Sequence, residues 1–457
     1  MPNYIDLFGI QLENKREKFK TYLTEGIELK YLKKEYKEQF DKHFHDFKKI
    51  SRDINYQAIA IDASGNKREF SNGIYFYMNR VAGVINNGIK LRELETDVFS
   101  ITGPERMAET YIGWKAETLE FYILKKYLEL QTENSKEHKI VFIDGSLYSR
   151  MMHPIIESTV KDDEYYILKY LDLYCDILKE ARMKNIILIG LSKDSRASYF
   201  RNGILDEIFY EERDLLKNSF SKNEMDIIKG VIKGIDNPDE EKIQKFNDLV
   251  KNHPQELKKM NQIFNEYKIM RTDGEIFFRF GKNAGFSHPM ELGLGRPFQQ
   301  ILFSQLKSNL LLFVQRQFRK VISNFDDQQK SDFNNYASVV LNKLFSVPTF
   351  ISFHLLPDIR DNPIKVDIPS WHFQGANLLS NYPFVDFVKN VDPLLIKIIG
   401  FLLNLYGGIE NYNLLLSAAH DNAVLKVSDF IEIYEKLIQD KLGILLPLRR
   451  RTKRFWK

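Results

Sequence analysis

Two apolar runs in this chain end on an aspartate and turn at once. One is Lys139–Ile140–Val141–Phe142–Ile143–Asp144–Gly145–Ser146–Leu147, and its echo upstream is Ala58–Ile59–Ala60–Ile61–Asp62–Ala63–Ser64–Gly65. Short runs rich in β-formers and closed by Gly or Ser read as buried strands. Each delivers one carboxylate at its carboxyl end. A carboxylate there is costly unless it is paired, hydrogen-bonded or bound to a cation. For one such aspartate, a turn cap is explanation enough. Two in matched settings favour a shared site, because strands lying side by side bring both carboxylates to one edge.

Composition narrows the chemistry. Cys175 is the only cysteine in 457 residues. Intramolecular disulfides and a multi-cysteine zinc site are excluded, and a reducing cytoplasm suits the chain. Cys175 sits among Leu173, Tyr174, Ile177 and Leu178 and reads as a small core residue. Carboxylates without thiols suit hard cations, Mg²⁺ or Mn²⁺. Such an ion makes a nucleophilic water at neutral pH and neutralises a leaving oxygen, as phosphodiester cleavage requires. The expectation is a nuclease that holds divalent metal at Asp62 and Asp144. The net charge of +4 is mild, and its densest cluster is the tail Arg449–Arg450–Arg451–Thr452–Lys453–Arg454–Phe455–Trp456–Lys457. That tail reads equally as a phosphate or acidic-surface contact and as a solvated terminus. No apolar run reaches membrane-spanning length, and Met1–Pro2–Asn3–Tyr4–Ile5–Asp6 lacks a secretion pattern, so a cytoplasmic protein with no membrane contact is expected.

The order of elements points to an α/β core. Residues 1–50 form an amino-terminal helical arm, with Phe19, Tyr22, Leu23, Ile27 and Tyr31 at helical spacing. Strands follow at 56–62 and 74–85, with a third at 97–102. A helix from Pro104 to Leu130 is broken by Gln131–His138, the Asp144 strand comes next, and helix 164–183 leads to a strand at 185–189. This reads as antiparallel strands early and a more parallel part later, residues 51–204 forming the first half of the core. Residues 205–270 turn Lys/Glu/Asp/Asn-rich, with loop signals at Asn237–Pro238 and His253–Pro254, and read as a helical insertion. The second half, 271–448, offers strands at Glu275–Phe280, Thr349–Leu355 and Ile364–Ile368, and helices at 297–324, 328–345 and Leu394–Leu405. A last helix starts near Ser428 or Asp429, where Asp429 and Glu432 have capping-box form, and stops at Gly443. Residues 449–457 form the basic tail.

A third acid is expected beside the two aspartates. The helix before Asp144 offers Glu117 and Glu120, three apart and so on one broad face. Either one reads otherwise as a surface salt bridge with Lys115 or Lys125. Lys193 and Arg196 follow the 185–189 strand in Gly190–Leu191–Ser192–Lys193–Asp194–Ser195–Arg196, where they could hold phosphates or simply be solvated. His420 and Tyr412, taken alone, read as structural residues. Ser146 is not in a nucleophile elbow, there is no P-loop, and Glu291–Leu292–Gly293–Leu294–Gly295–Arg296 lacks the third glycine of a dinucleotide fingerprint. Nucleotide hydrolysis by this chain is not expected.

The first I-D-A-S strand, the acidic helix, the F-I-D-G-S-L strand, the G-L-S-K-D-S-R loop and the late Tyr-to-His interval together resemble the NurA nucleases. The resemblance spans about Tyr56 to Leu445. It implies an RNase H-like mixed sheet flanked by helices, a homodimer, and Mn²⁺- or Mg²⁺-dependent cleavage of DNA. Exonuclease action of 5′-to-3′ polarity and single-strand endonuclease action go with it, alongside a HerA-like hexameric translocase in end processing, repair or anti-phage defence. It places metal ligands at Asp62, Asp144 and a helix glutamate, Glu117 by interval and Glu120 as the alternative. It adds Tyr412 and His420, eight apart, to the catalytic set and makes Lys193 a phosphate contact. Two other classes fit the same residues: a non-catalytic DNA-binding or docking subunit whose carboxylates cap turns, and an RNase H-like nuclease that prefers RNA.

Overall fold

Residues 58–61 and 140–143 have no solvent exposure, so both apolar runs lie inside the sheet with both faces covered. The computed structural model describes residues 3–25, 29, 31–48, 50–52, 56–131, 139–233, 239–295 and 297–448. The basic tail, residues 132–138 of the polar break and the Asn237–Pro238 turn lie outside them. Two units divide the chain. One comprises Met1–Phe47, Asp194–His288 and Leu355–Pro363, and the other Lys48–Lys193, Pro289–His354 and Ile364–Lys457.

The second unit is built on a mixed sheet. Its strands are β1 (Ala58–Glu69), β2 (Tyr75–Ile85), β3 (Lys90–Phe99), β4 (Lys139–Asp144), β5 (Ile186–Ser192), β6 (Met290–Leu292), β7 (Phe350–Leu356), β8 (Ile364–Pro369) and β9 (Val385–Phe387). The order runs β7-β8-β5-β4-β1-β2-β3, with β6 pairing β7 and β9. β1, β2 and β3 form an antiparallel meander, β4 lies parallel to β1 and to β5, and β8 closes antiparallel on β5. β3 is an edge strand whose Lys90, Arg92, Glu93, Glu95 and Asp97 keep it from pairing further.

Helix α1 (Glu105–Glu129) covers β1 and β2 with Leu119, Phe121, Ile123 and Leu124, all almost fully buried. Short α2 (Leu147–Met151) starts where Ser146 accepts the Ser149 N–H, and α3 (Tyr166–Met183) packs on α1. Cys175 is buried in α3, as its apolar neighbours require. Helix α4 (Leu414–Ala423) is capped by Asn413, which accepts from the Leu415 and Leu416 N–H groups, and it packs on β1 and β2.

The first unit is mostly helical. Tyr4–Asn14, Arg16–Glu25 and Lys33–Lys42 precede a short strand, Phe44–Asp46, which pairs antiparallel with Gly285–Ser287. Tyr199–Leu216, Lys222–Lys233, Glu240–Asn252 and Lys258–Tyr267 supply the helices expected after residue 205, the first of them starting earlier. Three expectations are corrected. Glu275–Phe280 belongs to a helix, Asp273–Phe280, because Thr272 and Glu275 form a reciprocal capping box that outweighs the β-like Ile–Phe–Phe run. The 297–324 segment is three helices, Pro297–Ser308, Leu310–Gln317 and Arg319–Ser323. Asp429 is already helical: the last helix begins after Lys426, which makes no side-chain cap, while Gly443 ends it in the left-handed conformation at φ 65°.

Candidate active site

Parallel pairing of β1 with β4 ends at Ile61 opposite Ile143, so Asp62 and Asp144 are the next residues on neighbouring strands. Asp144 ends its strand as expected. Asp62 does not: β1 runs on to Glu69 against β2, and Asp62 faces Ala82 in that ladder. It is 5% exposed, and burial together with the Asp144 charge pushes its carboxyl above the ordinary range.

The late residues close over this pair. Tyr412 precedes the α4 cap and donates its hydroxyl to Asp144 Oδ1 at 2.8 Å. Burial and the Asp144 charge keep that phenol protonated, far above its ordinary pKa. Two helical turns on, His420 Nδ1 lies 2.8 Å from Asp62 Oδ2, its N–H donating to the carboxylate. In the neutral ring this leaves Nε2 as an acceptor on a side chain that is half exposed. Lys193, the residue after β5, puts Nζ 3.9 Å from Asp144 Oδ2 and 5.2 Å from the Tyr412 ring centre. Arg196 belongs to the first unit, where a cleft of about 360 Å³ is lined by Arg196, Thr272, Phe278, Arg279 and Asn362.

The two helix glutamates have different surroundings. Glu120 Oε1 accepts the Ala63 N–H at 3.1 Å, beside Asp62, and Oε2 lies 2.5 Å from Arg150 Nη2. Burial pushes Glu120 up to about 8; Arg150 works against the rise and the Asp62 charge adds to it. Glu117 Oε2 accepts from His153 Nε2 at 2.9 Å and from the Tyr170 hydroxyl at 2.5 Å, and Oε1 is 3.9 Å from Arg150 Nε. Burial alone would raise Glu117, but Arg150, His153 and Tyr170 outweigh it and hold the group below its ordinary value. Neither glutamate pairs with Lys115, which bridges Glu95 and Asp163 instead. Glu120 thus stands with Asp62, and Glu117 with a polar cluster behind it.

Arg150 joins the two glutamates and was not singled out by the sequence. It is 5% exposed, donates to the Asp144 carbonyl at 2.8 Å and lies over the Phe121 ring. Burial lowers its pKa less than Glu120 and Glu117 raise it, so it stays charged. The signal available was positional: with Ser146 as cap, Arg150 falls one turn into α2, behind the Asp144 turn. Among the described residues, no group of three or more His, Cys, Asp and Glu side chains is arranged to hold a metal ion.

In the run β3-β2-β1-β4-β5, only β2 opposes the direction of the others. That order and polarity define an RNase H-like sheet, here with two aspartates at the junction of its two central parallel strands. The NurA domain model matches residues 56–299, and the chain belongs to the NurA family, a family of nucleases. It is similar to a crystal structure of NurA at 13% identity, covering 96% of this chain and 98% of that one, with a TM-score of 0.36. It is also similar to Ciona intestinalis endonuclease V in complex with a 24mer DNA containing an inosine followed by a ribo-adenosine. There the identity is 11%, over 35% of this chain and 56% of that one, with a TM-score of 0.14. No curated protein matches the sequence. No helix among the described residues is long and apolar enough to cross a membrane.

Proposed function

We propose that the chain is a divalent-metal-dependent DNA nuclease whose metal ligands are Asp62 and Asp144. The observation that carries this is the meeting of the two carboxylates on adjacent parallel strands, where burial and the Asp144 charge push Asp62 above its ordinary range. A divalent cation held by Asp62 and Asp144 would offset that charge. The donor set fits Mg²⁺ or Mn²⁺, since such ions are commonly held by one or two carboxylates and complete their shell with water and substrate phosphate. Glu120, beside Asp62, is the better placed of the two helix glutamates to join them. When bound, the ion supplies an activated water and neutralises charge on the leaving oxygen.

The chain's own residues do the rest. Lys193 meets a non-bridging phosphate oxygen and draws the strand towards Asp144. Tyr412 fixes the Asp144 carboxylate by its hydrogen bond. His420, anchored through Nδ1 on Asp62, accepts from a water at Nε2 and so positions it beside the scissile phosphate. The substrate class is DNA, cut 5′-to-3′ from ends and endonucleolytically in single strands. The chain acts as a homodimer with a HerA-like hexameric translocase that feeds it duplex, in end repair or anti-phage defence.

The test is cleavage of labelled single- and double-stranded DNA and of matched RNA, with and without Mn²⁺ and with and without the translocase. Asp144→Asn should abolish Mn²⁺-dependent cleavage and weaken calorimetric Mn²⁺ binding while leaving the circular dichroism unchanged. A clean Asp144→Asn preparation that digests DNA like the parent sinks the assignment. Faster digestion of RNA than of DNA would replace the substrate class.

A further inference from the structure

A buried charged cluster lies one strand away from Asp144, on the far side of β5. Lys365 and Asp367 alternate on β8 and are each 1% exposed. Asp367 Oδ1 accepts from Lys365 Nζ and, at 2.8 Å, from the Ser352 hydroxyl, while Oδ2 accepts from the Ser146 hydroxyl. Ser146 Oγ in turn accepts from Lys365 Nζ at 3.2 Å and from the Ser149 N–H at 3.1 Å. One serine hydroxyl therefore makes three hydrogen bonds, which is all that it can make.

The reach from Ser146 to Asp367 passes over Gly190, which sits between Ile143 on β4 and Asp367 on β8 in the ladder. A Cβ at Gly190 would lie 2.6 Å from the Gly145 carbonyl and 2.8 Å from the Leu147 amide, so the turn is seated on bare backbone. Gly145 itself, at φ 97°, donates its N–H to the Leu191 carbonyl at 2.7 Å. A buried ion pair is poor evidence for stability, because apolar replacements of similar volume often hold a fold as well or better. Its presence beside this turn asks for another reason. Both members of the pair bond the hydroxyl of Ser146, two residues after Asp144.

We propose that Lys365 and Asp367 are positioning residues for the nuclease centre: through the Ser146 hydroxyl they fix the turn that aims the Asp144 carboxylate. This rests on Asp144 holding the metal. Groups behind a metal ligand that set its orientation are worth about 10- to 100-fold in metal affinity.

The test compares the parent, Lys365→Met/Asp367→Leu, Ser146→Ala and Asp144→Asn. It measures thermal unfolding, the calorimetric Mn²⁺ dissociation constant, and kcat and KM on single-stranded DNA. The double variant should unfold near the parent temperature, bind Mn²⁺ about 10-fold more weakly and lose kcat with KM for DNA unchanged. Ser146→Ala, which removes only the hydroxyl, should move the same two quantities in the same direction. Parent-like Mn²⁺ affinity and kcat in either folded variant overturns the proposal; if the double variant does not fold, Ser146→Ala decides. A parent that binds no Mn²⁺, and is matched in this by Asp144→Asn, overturns the metal assignment and this proposal together. Full Mn²⁺ binding in the parent and undiminished binding in Ser146→Ala overturns the positioning role alone.

Discussion

Replacing Arg150 by Met removes the cation on which two buried glutamates depend. The methionine keeps most of the stem's apolar volume, so the change isolates charge. Lost with it are the Glu120 contact at 2.5 Å, the Glu117 contact at 3.9 Å and the hydrogen bond to the Asp144 carbonyl at 2.8 Å. Removing one partner of a buried ion pair costs about 3–5 kcal/mol, mostly through the charge left behind. Two features put this case at the lower end. Glu120 is already pushed up to about 8 by burial, so it takes a proton near neutral pH at little cost. Glu117 keeps its bonds from His153 and Tyr170. The expected loss is therefore about 3 kcal/mol at neutral pH.

The pH dependence carries the sign. In the parent, Glu117 is held below its ordinary 4.5, so its contribution is present above that pH and lost as pH falls through the folded value. Arg150→Met removes the charge that does most to hold Glu117 down against burial, so its folded value rises and the stability it contributes above that value shrinks. The difference between variant and parent should shrink in urea unfolding as pH falls towards the folded value of Glu117, which lies below 4.5 in the parent. A difference under about 1 kcal/mol at neutral pH, or one that does not change with pH, refutes the argument that Arg150 compensates buried carboxylates.

Other variants separate the roles assigned above. Glu120→Gln should weaken Mn²⁺ binding with little loss of stability, whereas Glu117→Gln should cost about 1–3 kcal/mol in urea unfolding and leave Mn²⁺ affinity near the parent value. Tyr412→Phe should lower kcat on DNA about 10-fold without changing the unfolding midpoint; an unchanged rate removes Tyr412 from the site. Gly190→Ala forces its Cβ against the Gly145 carbonyl at 2.6 Å and should cost about 1–3 kcal/mol together with most of the cleavage activity. Burial, with Lys365 adding to it, pushes His354 down to about 3, so the unfolded chain takes its proton first. The contribution of His354 is complete above pH 6.5 and is lost as pH falls towards 3, about 2 kcal/mol by pH 5. His354→Asn should flatten that part of the stability profile, and an unflattened profile would show that His354 is not the group responsible.

The sheet was legible where burial is two-sided. Ile140–Ile143, Ile59–Ile61 and Ile186–Ile189 are continuous apolar runs because parallel strands in the middle of a layered protein have no solvent face. The same logic failed at Ile276–Phe277–Phe278, where an identical-looking run is helical because its amino-terminal cap chemistry is complete. It also missed how far β1 extends, since Gly65, Asn66 and Lys67 are poor strand formers held in place by pairing with β2.

The site was legible only as far as each acid sits on its own element. Asp62 and Asp144 announce themselves by closing apolar runs, and parallel pairing does the rest. What pairs with each glutamate depends on which side chains fold behind α1, and Arg150, His153 and Tyr170 come from two later segments that local sequence does not tie to it. Lys365 and Asp367 are harder still. Alternating with Ile364, Val366 and Ile368, they read as the solvent face of a half-buried strand, yet that face is covered. A charged face that turns out to be buried is where a fold departs from what its pattern favours. On this strand the two charged residues meet the Ser146 hydroxyl, two residues after Asp144, so the positions where the pattern misleads are those that reach the turn behind that carboxylate.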